Sequence, residues 1–210
     1  MRYLSVILSG LLAVSCNRTG SDEMSRFHED GRAKPSVAIA SMLDTTSFDA
    51  SWSLSEELTA GIMDVIAGSG QIYVHSQEES PFTENPFGND LSWMKREFHS
   101  EEFVAFIELV EHEFAPVQTK TVAPYESSNN LNMAVRVRVV DLRGPSPKIV
   151  LQEMVRETYF VPKTLIPVDY SSTVWGTDEY RKSPMGIAHA GLVQEVASRI
   201  SDYILLAKSR

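Results

Sequence analysis

Cysteine is nearly absent from this sequence: Cys16 is the only one among 210 residues, so no disulfide can form within the chain. A small secreted scaffold held together by disulfides is therefore excluded. Cationic residues are also scarce, with 19 lysines and arginines against 28 aspartates and glutamates and a formal net charge of −9. This acidic balance, together with the lack of a basic run, argues against a nucleic-acid partner.

The sequence also lacks the short motifs of common catalytic and cofactor sites. It contains no HExxH, GxSxG, P-loop or GxGxxG motif, and none of its five histidines has metal-ligand spacing to another. On a strand, Glu111 and Glu113 would share one face and His112 would lie on the other, which does not favour a metal site there. We expect His189, between two alanines of a predicted helix, to be a buried, hydrogen-bonded imidazole. The sequence predicts no enzyme activity, no cofactor and no metal site.

No apolar run is long enough to serve as a membrane anchor. The N-terminal run Leu4 to Val14 is about half of the roughly 20 residues that a membrane-spanning helix needs, and it is typical of the core of a signal peptide. Small residues, Ala13 and Ser15, stand at the first and third positions before Cys16. They suit cleavage between Ser15 and Cys16, so residues 1–15 are predicted to be a leader.

The stretch Leu12-Ala13-Val14-Ser15-Cys16 resembles the bacterial lipobox, whose cysteine is diacylated through sulfur before cleavage. Ala13 departs from that box, which prefers leucine, and suits the general signal peptidase, so a free secreted domain is the alternative. Acylation gives an unpaired cysteine in an exported protein a role. Asn17 follows the cysteine where aspartate would imply retention at the inner membrane. The resemblance therefore implies an outer-membrane lipoprotein carrying two or more acyl chains on Cys16.

The rest of the chain predicts a tether and one domain. Residues 16–34 carry the lipidated cysteine and a polar stretch typical of a flexible tether. Residues 35–210 have the size of a single domain, and a hydrophobic content of 43% is enough to build a core.

The first half of that domain predicts a β-α-β unit. The apolar stretch Val37–Leu43 predicts a buried strand, and Ser53-Leu54-Ser55-Glu56 has the pattern of a capping box that begins a helix. The helix ends at Gly68 or Gly70, and Gln71–His75 predicts the second strand. The run Phe103–Val110 fits either a helix or a strand, and its aromatic and β-branched content favours the strand.

The second half predicts a long antiparallel hairpin followed by a helix. Apolar residues alternate with polar ones from Met133 to Val139, and Ile149 to Phe160 returns after a turn rich in proline and glycine. Ser183-Pro184 begins a C-terminal helix with an apolar stripe. The fold class predicted is α/β (α+β): a single domain with a mixed β-sheet and helices packed on it.

Several stretches together resemble a known family. Val37 to Thr46, Leu58 to Ile62, Gly68 to Val74 and the turn Val140-Asp141-Leu142 are similar to small α/β envelope lipoproteins of the CsgG/LpoB-like kind. These are the curli-secretion lipoprotein and the activator of penicillin-binding proteins. Asp44 stands where those relatives tend to have asparagine. The resemblance implies a partner among cell-wall enzymes such as a penicillin-binding protein, or self-association as a subunit of an oligomeric secretion or envelope assembly.

Two features of the sequence suit contact with a partner protein. A loop after the second strand carries Phe82 and Phe87 and leads to Trp93, and aromatic residues are enriched at binding hot spots. Arg136 and Arg138 share one face of the hairpin. The alternatives are a loop folded back over the core, and a solvated face with ion pairs worth about 0–1 kcal/mol. The sequence thus predicts a non-enzymatic, lipid-anchored envelope protein; the alternatives are an assembly subunit and a periplasmic enzyme.

Overall fold

The computed structural model describes residues 26–76, 84–117, 128–162 and 174–210. The predicted leader, Cys16 and Phe82 lie outside these ranges. The described elements, in chain order, are β1 (Ser36–Ile39), β2 (Leu43–Asp44), α1 (Leu54–Gly68), β3 (Tyr73–Ser76), α2 (Met94–Glu97), β4 (Phe103–Pro116), β5 (Asn129–Asp141), β6 (Lys148–Val161), α3 (Asp178–Lys182) and α4 (Pro184–Lys208).

The strands form one mixed sheet of six strands in the order β3-β1-β4-β5-β6, with the short β2 pairing to β4. β1 is parallel to both neighbours, with Val37 opposite Val74 of β3 and Phe103 of β4. The parallel pairing of β1 and β3 requires a crossover, which α1 provides. β4, β5 and β6 are antiparallel. The predicted fold class, with its β-α-β unit, long hairpin and C-terminal helix, is confirmed.

Both long helices begin as the sequence predicts. The Ser53 side chain accepts a hydrogen bond from the Glu56 backbone N–H at 3.2 Å, and the Ser183 side chain accepts one from Gly186 N–H at 3.0 Å. Each hydroxyl satisfies an N–H that has no partner within its helix. A side chain at Gly186 would overlap the Tyr180 backbone carbonyl, so a residue without Cβ lets α3 approach the start of α4 closely.

The sheet has a core on each face. The larger core lies between the sheet and the long helices α1 and α4, and Leu58, Ile62 and Ile200 are fully buried in it. The smaller core lies on the opposite face, where the chain from residue 84 to α2 covers the start of β4. Its large members are Trp93, Met94, Phe98 and Phe106.

The described part of the predicted tether makes contact with the domain. Phe27 and Ala33 form an isolated antiparallel bridge, and the Lys34 N–H donates to the Arg26 carbonyl at 2.9 Å. The Arg26 guanidinium lies over the Tyr73 ring, 4.8 Å from its centroid. From Arg26 onward the chain therefore follows the surface of the domain.

Candidate functional site

Four polar side chains from four different elements meet on the helical face of the sheet. Glu57 of α1, Tyr180 of α3, His189 of α4 and His112 of β4 are 6%, 3%, 2% and 4% exposed. Buried polar groups are retained in proteins only where they are hydrogen-bonded. We call this cluster the Glu57–His189 network.

A bulge in β4 brings His112 into the network. The register between β4 and β5 shifts between Leu109 and Glu111, so Val110 is an extra residue in the strand. Because side chains alternate between the faces of a strand, one extra residue moves every later side chain to the other face. His112 thereby lies on the helical side, where its ring packs edge-on against that of Phe48 with the centroids 4.3 Å apart.

The network is continuous from α1 to β4. Glu57 Oε1 accepts a hydrogen bond from the Tyr180 hydroxyl and lies 2.9 Å from His189 Nδ1. The Trp52 indole N–H donates to Glu57 Oε2 at 2.7 Å. His189 Nε2 lies 2.8 Å from His112 Nε2, a contact that needs one proton shared between the two rings.

Burial and hydrogen bonding set the charge of the network. Burial raises the pKa of Glu57, but the hydrogen bond and charge of His189 lower it. Hydrogen bonds from Tyr180 and Trp52 add to this effect, so the net pKa of the carboxyl lies below its ordinary value. For His112, burial and the adjacent His189 lower the pKa from 6.5 to about 4. Glu57 is therefore ionised and His112 neutral at pH 7.

One atom of the network has no hydrogen-bond partner among the described residues. His112 Nδ1 is buried and makes no hydrogen bond to any described residue. When both rings are neutral, donation from His112 Nε2 to His189 Nε2 leaves His112 Nδ1 as a bare acceptor, and His189 donates through Nδ1 to Glu57. This arrangement places every N–H of the two rings in a hydrogen bond and so avoids a buried, unpaired donor.

A cavity of about 430 Å³ adjoins the network between α1 and α4. Its volume lies within the range of small-molecule sites, about 300–1,000 Å³. Glu57, Tyr180 and His189 line its floor. The remaining wall is mostly apolar, with small residues on both helices and one aromatic ring: Ala60, Gly61, Val65, Trp175, Ala190 and Val193.

Arg138, a predicted contact residue, is buried by the loop that follows residue 84. Its side chain is 4% exposed, although the alternation in β5 predicts a solvated face. Burial lowers the pKa of the guanidinium, with the charge of Arg136 acting in the same direction. The guanidinium donates to four oxygens within the molecule, namely the backbone carbonyls of Pro86, Phe87 and Gly88 and the side-chain carbonyl of Gln152.

The other predicted contact residues belong to the same layer. Arg136 donates to Glu108 and lies over the Phe87 ring, 4.2 Å from the centroid. Trp93 is 5% exposed, and its indole N–H donates to the Asp90 carbonyl at 3.1 Å. The loop thus folds back over the second face of the sheet, which was the alternative left open by the sequence. Contact of these residues with a partner protein stays a prediction.

Sequence reasoning found one member of the network and missed the others. His189 is buried and hydrogen-bonded, as predicted. Glu57 carried a usable signal, because it lies three residues after Leu54 on the apolar stripe of α1, where a carboxylate needs a partner. His112 lies on the face opposite Glu111 and Glu113, as predicted, but the bulge at Val110, which turns that face toward the helices, had no signal in the sequence.

Residues 26–76, 84–117, 128–162 and 174–210 hold no candidate metal cluster and no candidate membrane-spanning helix. Within those ranges, no group of three or more histidine, cysteine, aspartate or glutamate side chains is arranged to hold a metal ion. Within the same ranges, no helix combines the length and the hydropathy needed to cross a bilayer.

The fold and the network together define a single α+β domain whose two parallel-packed helices cover one face of a mixed sheet. The chain belongs to DUF7499, a family of unknown function whose model matches residues 23–208. No curated protein matches the sequence.

Several solved structures superpose on this chain, with different scores. The hypothetical protein CT253 from Chlamydia trachomatis superposes with a TM-score of 0.66 at 24% identity, over 82% of this chain and 98% of that one. The PelC dodecamer from Paraburkholderia phytofirmans gives 0.42 at 9% identity, over 79% and 87%. Lipoprotein GNA1162 from Neisseria meningitidis gives 0.40 at 14% identity, over 80% and 99%. The first of these shows the fold, and the two lower scores carry no inference about this chain.

Bacterial lipoproteins are thus among the structural neighbours, but membership of the CsgG/LpoB-like family is not confirmed by these comparisons.

Proposed function

We propose that this protein is a lipid-anchored component of the bacterial envelope that acts by binding another envelope protein. The observation that carries the proposal is the N-terminal sequence: an apolar leader followed at Cys16 by the only cysteine of the chain. Acylation of Cys16 by two or more chains would hold the domain stably at a membrane, since one chain binds only marginally. The outer membrane is the proposed location because Asn17, and not aspartate, follows the cysteine.

The arrangement of the polar core supports a function in binding and not in catalysis. Glu57, Tyr180 and His189 each use their polar atoms on one another and are less than 10% exposed. Groups engaged in this way hold elements together, and they present no free nucleophile at the surface. We therefore infer that the network stabilises the packing of α1, α3, α4 and β4 against one another.

The proposed partner surface is the exposed part of the loop-covered face. Arg136 keeps 40% of its side chain exposed although it pairs with Glu108, and Phe87 beside it is half-buried. An arginine stacked on an aromatic ring is a common element of binding hot spots. A cell-wall synthase such as a penicillin-binding protein is the proposed partner, on the strength of the family resemblance in the sequence.

The intact mass of the mature protein from its own cells tests the anchor. A mass increased by diacylglycerol and a further acyl chain, with Cys16 as the first residue, is expected. A mass matching the unmodified polypeptide would contradict the proposal. The Cys16→Ser variant is the matched control, because it keeps the side chain small and polar but cannot be acylated through sulfur.

Self-assembly is the second form of a contact function. In that form the domain binds copies of itself in a secretion or envelope assembly, as the family resemblance implies. Sedimentation of the purified, unlipidated protein distinguishes the two forms. A monomer at micromolar concentration supports a different partner protein, whereas a discrete oligomer supports the assembly.

A small-molecule or catalytic role has one observation in its favour, the cavity beside the Glu57–His189 network. Perturbed titratable groups next to a cavity are a common mark of functional sites. Ala190→Trp on the cavity wall fills the space, and Ala67→Trp on the exposed side of α1 is the control. Native mass spectrometry of protein from its own cells would support this role if a bound small molecule is lost only in Ala190→Trp. An unliganded wild-type protein would contradict it.

A further inference from the structure

We infer that one end of the domain, formed by residues 26–35 and the last turn of α4, rests on the anionic headgroups of the bilayer. We call this end the basal face. The inference depends on the proposed lipid anchor, and it adds a second contact between protein and membrane. Its components are a cavity, a local excess of cations, an exposed aromatic ring and the position of the anchor in the chain.

The basal face surrounds a broad cavity. Residues 27–35, the residues after the end of α1 and the end of α4 enclose a space of about 1040 Å³. The two long helices lie side by side, because Gly61 of α1 contacts Val193 of α4 and Glu57 contacts His189 four residues earlier. Both helices consequently end at this cavity.

Charge on the basal face is opposite to that of the whole chain. Five cations lie on or beside the basal face, Arg26, Arg32, Lys34, Lys208 and Arg210, against three carboxylates, Glu29, Asp30 and Glu102; Arg32 pairs with Asp30 and Lys208 with Glu102, which leaves two of the other cations in excess. The chain overall has 28 carboxylates against 19 lysines and arginines. An anionic surface therefore repels the rest of the domain and attracts this end, and the attraction acts within a Debye length of about 10 Å at 0.1 M salt.

An exposed aromatic ring accompanies these cations. Phe27 is 48% exposed and lines the cavity, and the neighbouring Arg32 side chain is 79% exposed. Apolar rings flanked by lysine and arginine are typical of protein surfaces that lie in the headgroup region.

The length of chain before the basal face places it near the membrane. Nine residues lie between Cys16 and Arg26, and the ten steps from one to the other reach at most about 35 Å when fully extended. The far end of the hairpin lies farther from the anchored cysteine than the basal face does. β4 has 14 residues, and at about 3.3 Å per residue its far end, beside Phe160, lies about 45 Å beyond Glu102.

A site-specific fluorescent probe tests the inference in the full, lipidated protein. Acylated Cys16 cannot react with a thiol reagent, and the chain has no other cysteine, so one introduced cysteine gives one labelled position. Ala33→Cys places an environment-sensitive probe on the basal face, and Phe160→Cys places it at the far end of the hairpin. The protein is incorporated into phosphatidylcholine vesicles with or without phosphatidylglycerol, and nitroxide lipids serve as quenchers.

We expect strong quenching of the probe at residue 33, weak quenching at residue 160, and a dependence on phosphatidylglycerol. Each basic residue near an anionic surface contributes about fivefold to binding, so Arg32→Glu with Lys34→Glu should shift the bound population at least ~25-fold. Arg156→Glu with Lys182→Glu changes the net charge equally on other exposed surfaces and should have little effect. Equal quenching of the two probes, or quenching that is independent of phosphatidylglycerol, would overturn the inference.

A separate readout distinguishes this inference from the anchor on which it depends. The mass of the mature protein decides acylation first. Flotation of the Cys16→Ser protein with phosphatidylglycerol vesicles then tests the basal face without any anchor. Flotation that is lost only in the Arg32→Glu, Lys34→Glu variant supports the inference even if Cys16 is not acylated. No flotation with these vesicles, together with an unquenched probe at residue 33, would reject it even if Cys16 is acylated.

Discussion

His112 makes the stability of this protein depend on pH in a calculable way. Its pKa is about 4 in the folded protein and about 6.5 in an unfolded chain, because burial and the adjacent His189 disfavour the charged ring. The folded state therefore binds fewer protons than the unfolded state between these two values. The contribution of the neutral His112 ring to the free energy of unfolding is fully present above pH 6.5, and it is lost as the pH falls to about 4. The difference of 2.5 pKa units corresponds to about 3 kcal/mol.

The His112→Gln variant isolates this term. Its amide keeps a hydrogen-bonding group near His189 but does not titrate, so the fall of about 3 kcal/mol between pH 7 and pH 4 should be missing. The loss of the natural hydrogen bond lowers stability at pH 7 by about 1–3 kcal/mol, and the two proteins should therefore converge near pH 4. The acid effects of Glu57 and the other carboxylates occur in both proteins and cancel in the comparison.

Urea unfolding followed by far-ultraviolet circular dichroism at pH 7, 5.5 and 4 measures this difference. His99→Gln, an exposed histidine on the same chain, is the control and should follow the wild type. Parallel curves for the wild type and His112→Gln over this range would refute the reasoning, because they would show that His112 is protonated alike in the folded and unfolded states.

Three further predictions concern stability, and each is measured by urea unfolding. Arg138→Met should cost about 2–4 kcal/mol, since it removes charge-assisted hydrogen bonds that hold the loop on the sheet, while exposed Arg156→Met should cost under 0.5 kcal/mol. Gly186→Ala should cost about 1–3 kcal/mol by overlap with the α3 backbone, whereas Gly68→Ala, which meets open space, should be neutral or stabilising. Ser53→Ala should cost about 1 kcal/mol through loss of the helix cap.

The parts of the fold that depend on neighbouring residues were predictable from the sequence. The cap at Ser53, the apolar stripe of α1 and the alternation in β5 are each local patterns, and each produced the expected element. Val37–Leu43 was predicted as one strand, but it divides into β1 and β2 because the chain leaves the sheet between them.

Contacts between distant parts of the chain were not predictable in this way. The Glu57–His189 contact joins residues 132 positions apart, and the Arg138 guanidinium bonds to a loop about 50 positions earlier. Neither pairing has a periodic signal in the sequence, since each depends on how α4 and the loop pack on the finished sheet. The bulge at Val110 is of the same kind, because it is a property of the pairing between β4 and β5.

Crosslinking in intact cells, followed by mass spectrometry of the captured proteins, tests the central claim most directly. We predict that the wild-type protein captures another envelope protein and that Cys16→Ser, expressed at the same level, captures much less of it. Capture of copies of this chain alone would favour the self-assembly form. The same set of captured proteins from both variants would contradict the account, because the lipid on Cys16 would then have no part in bringing the domain to its partner.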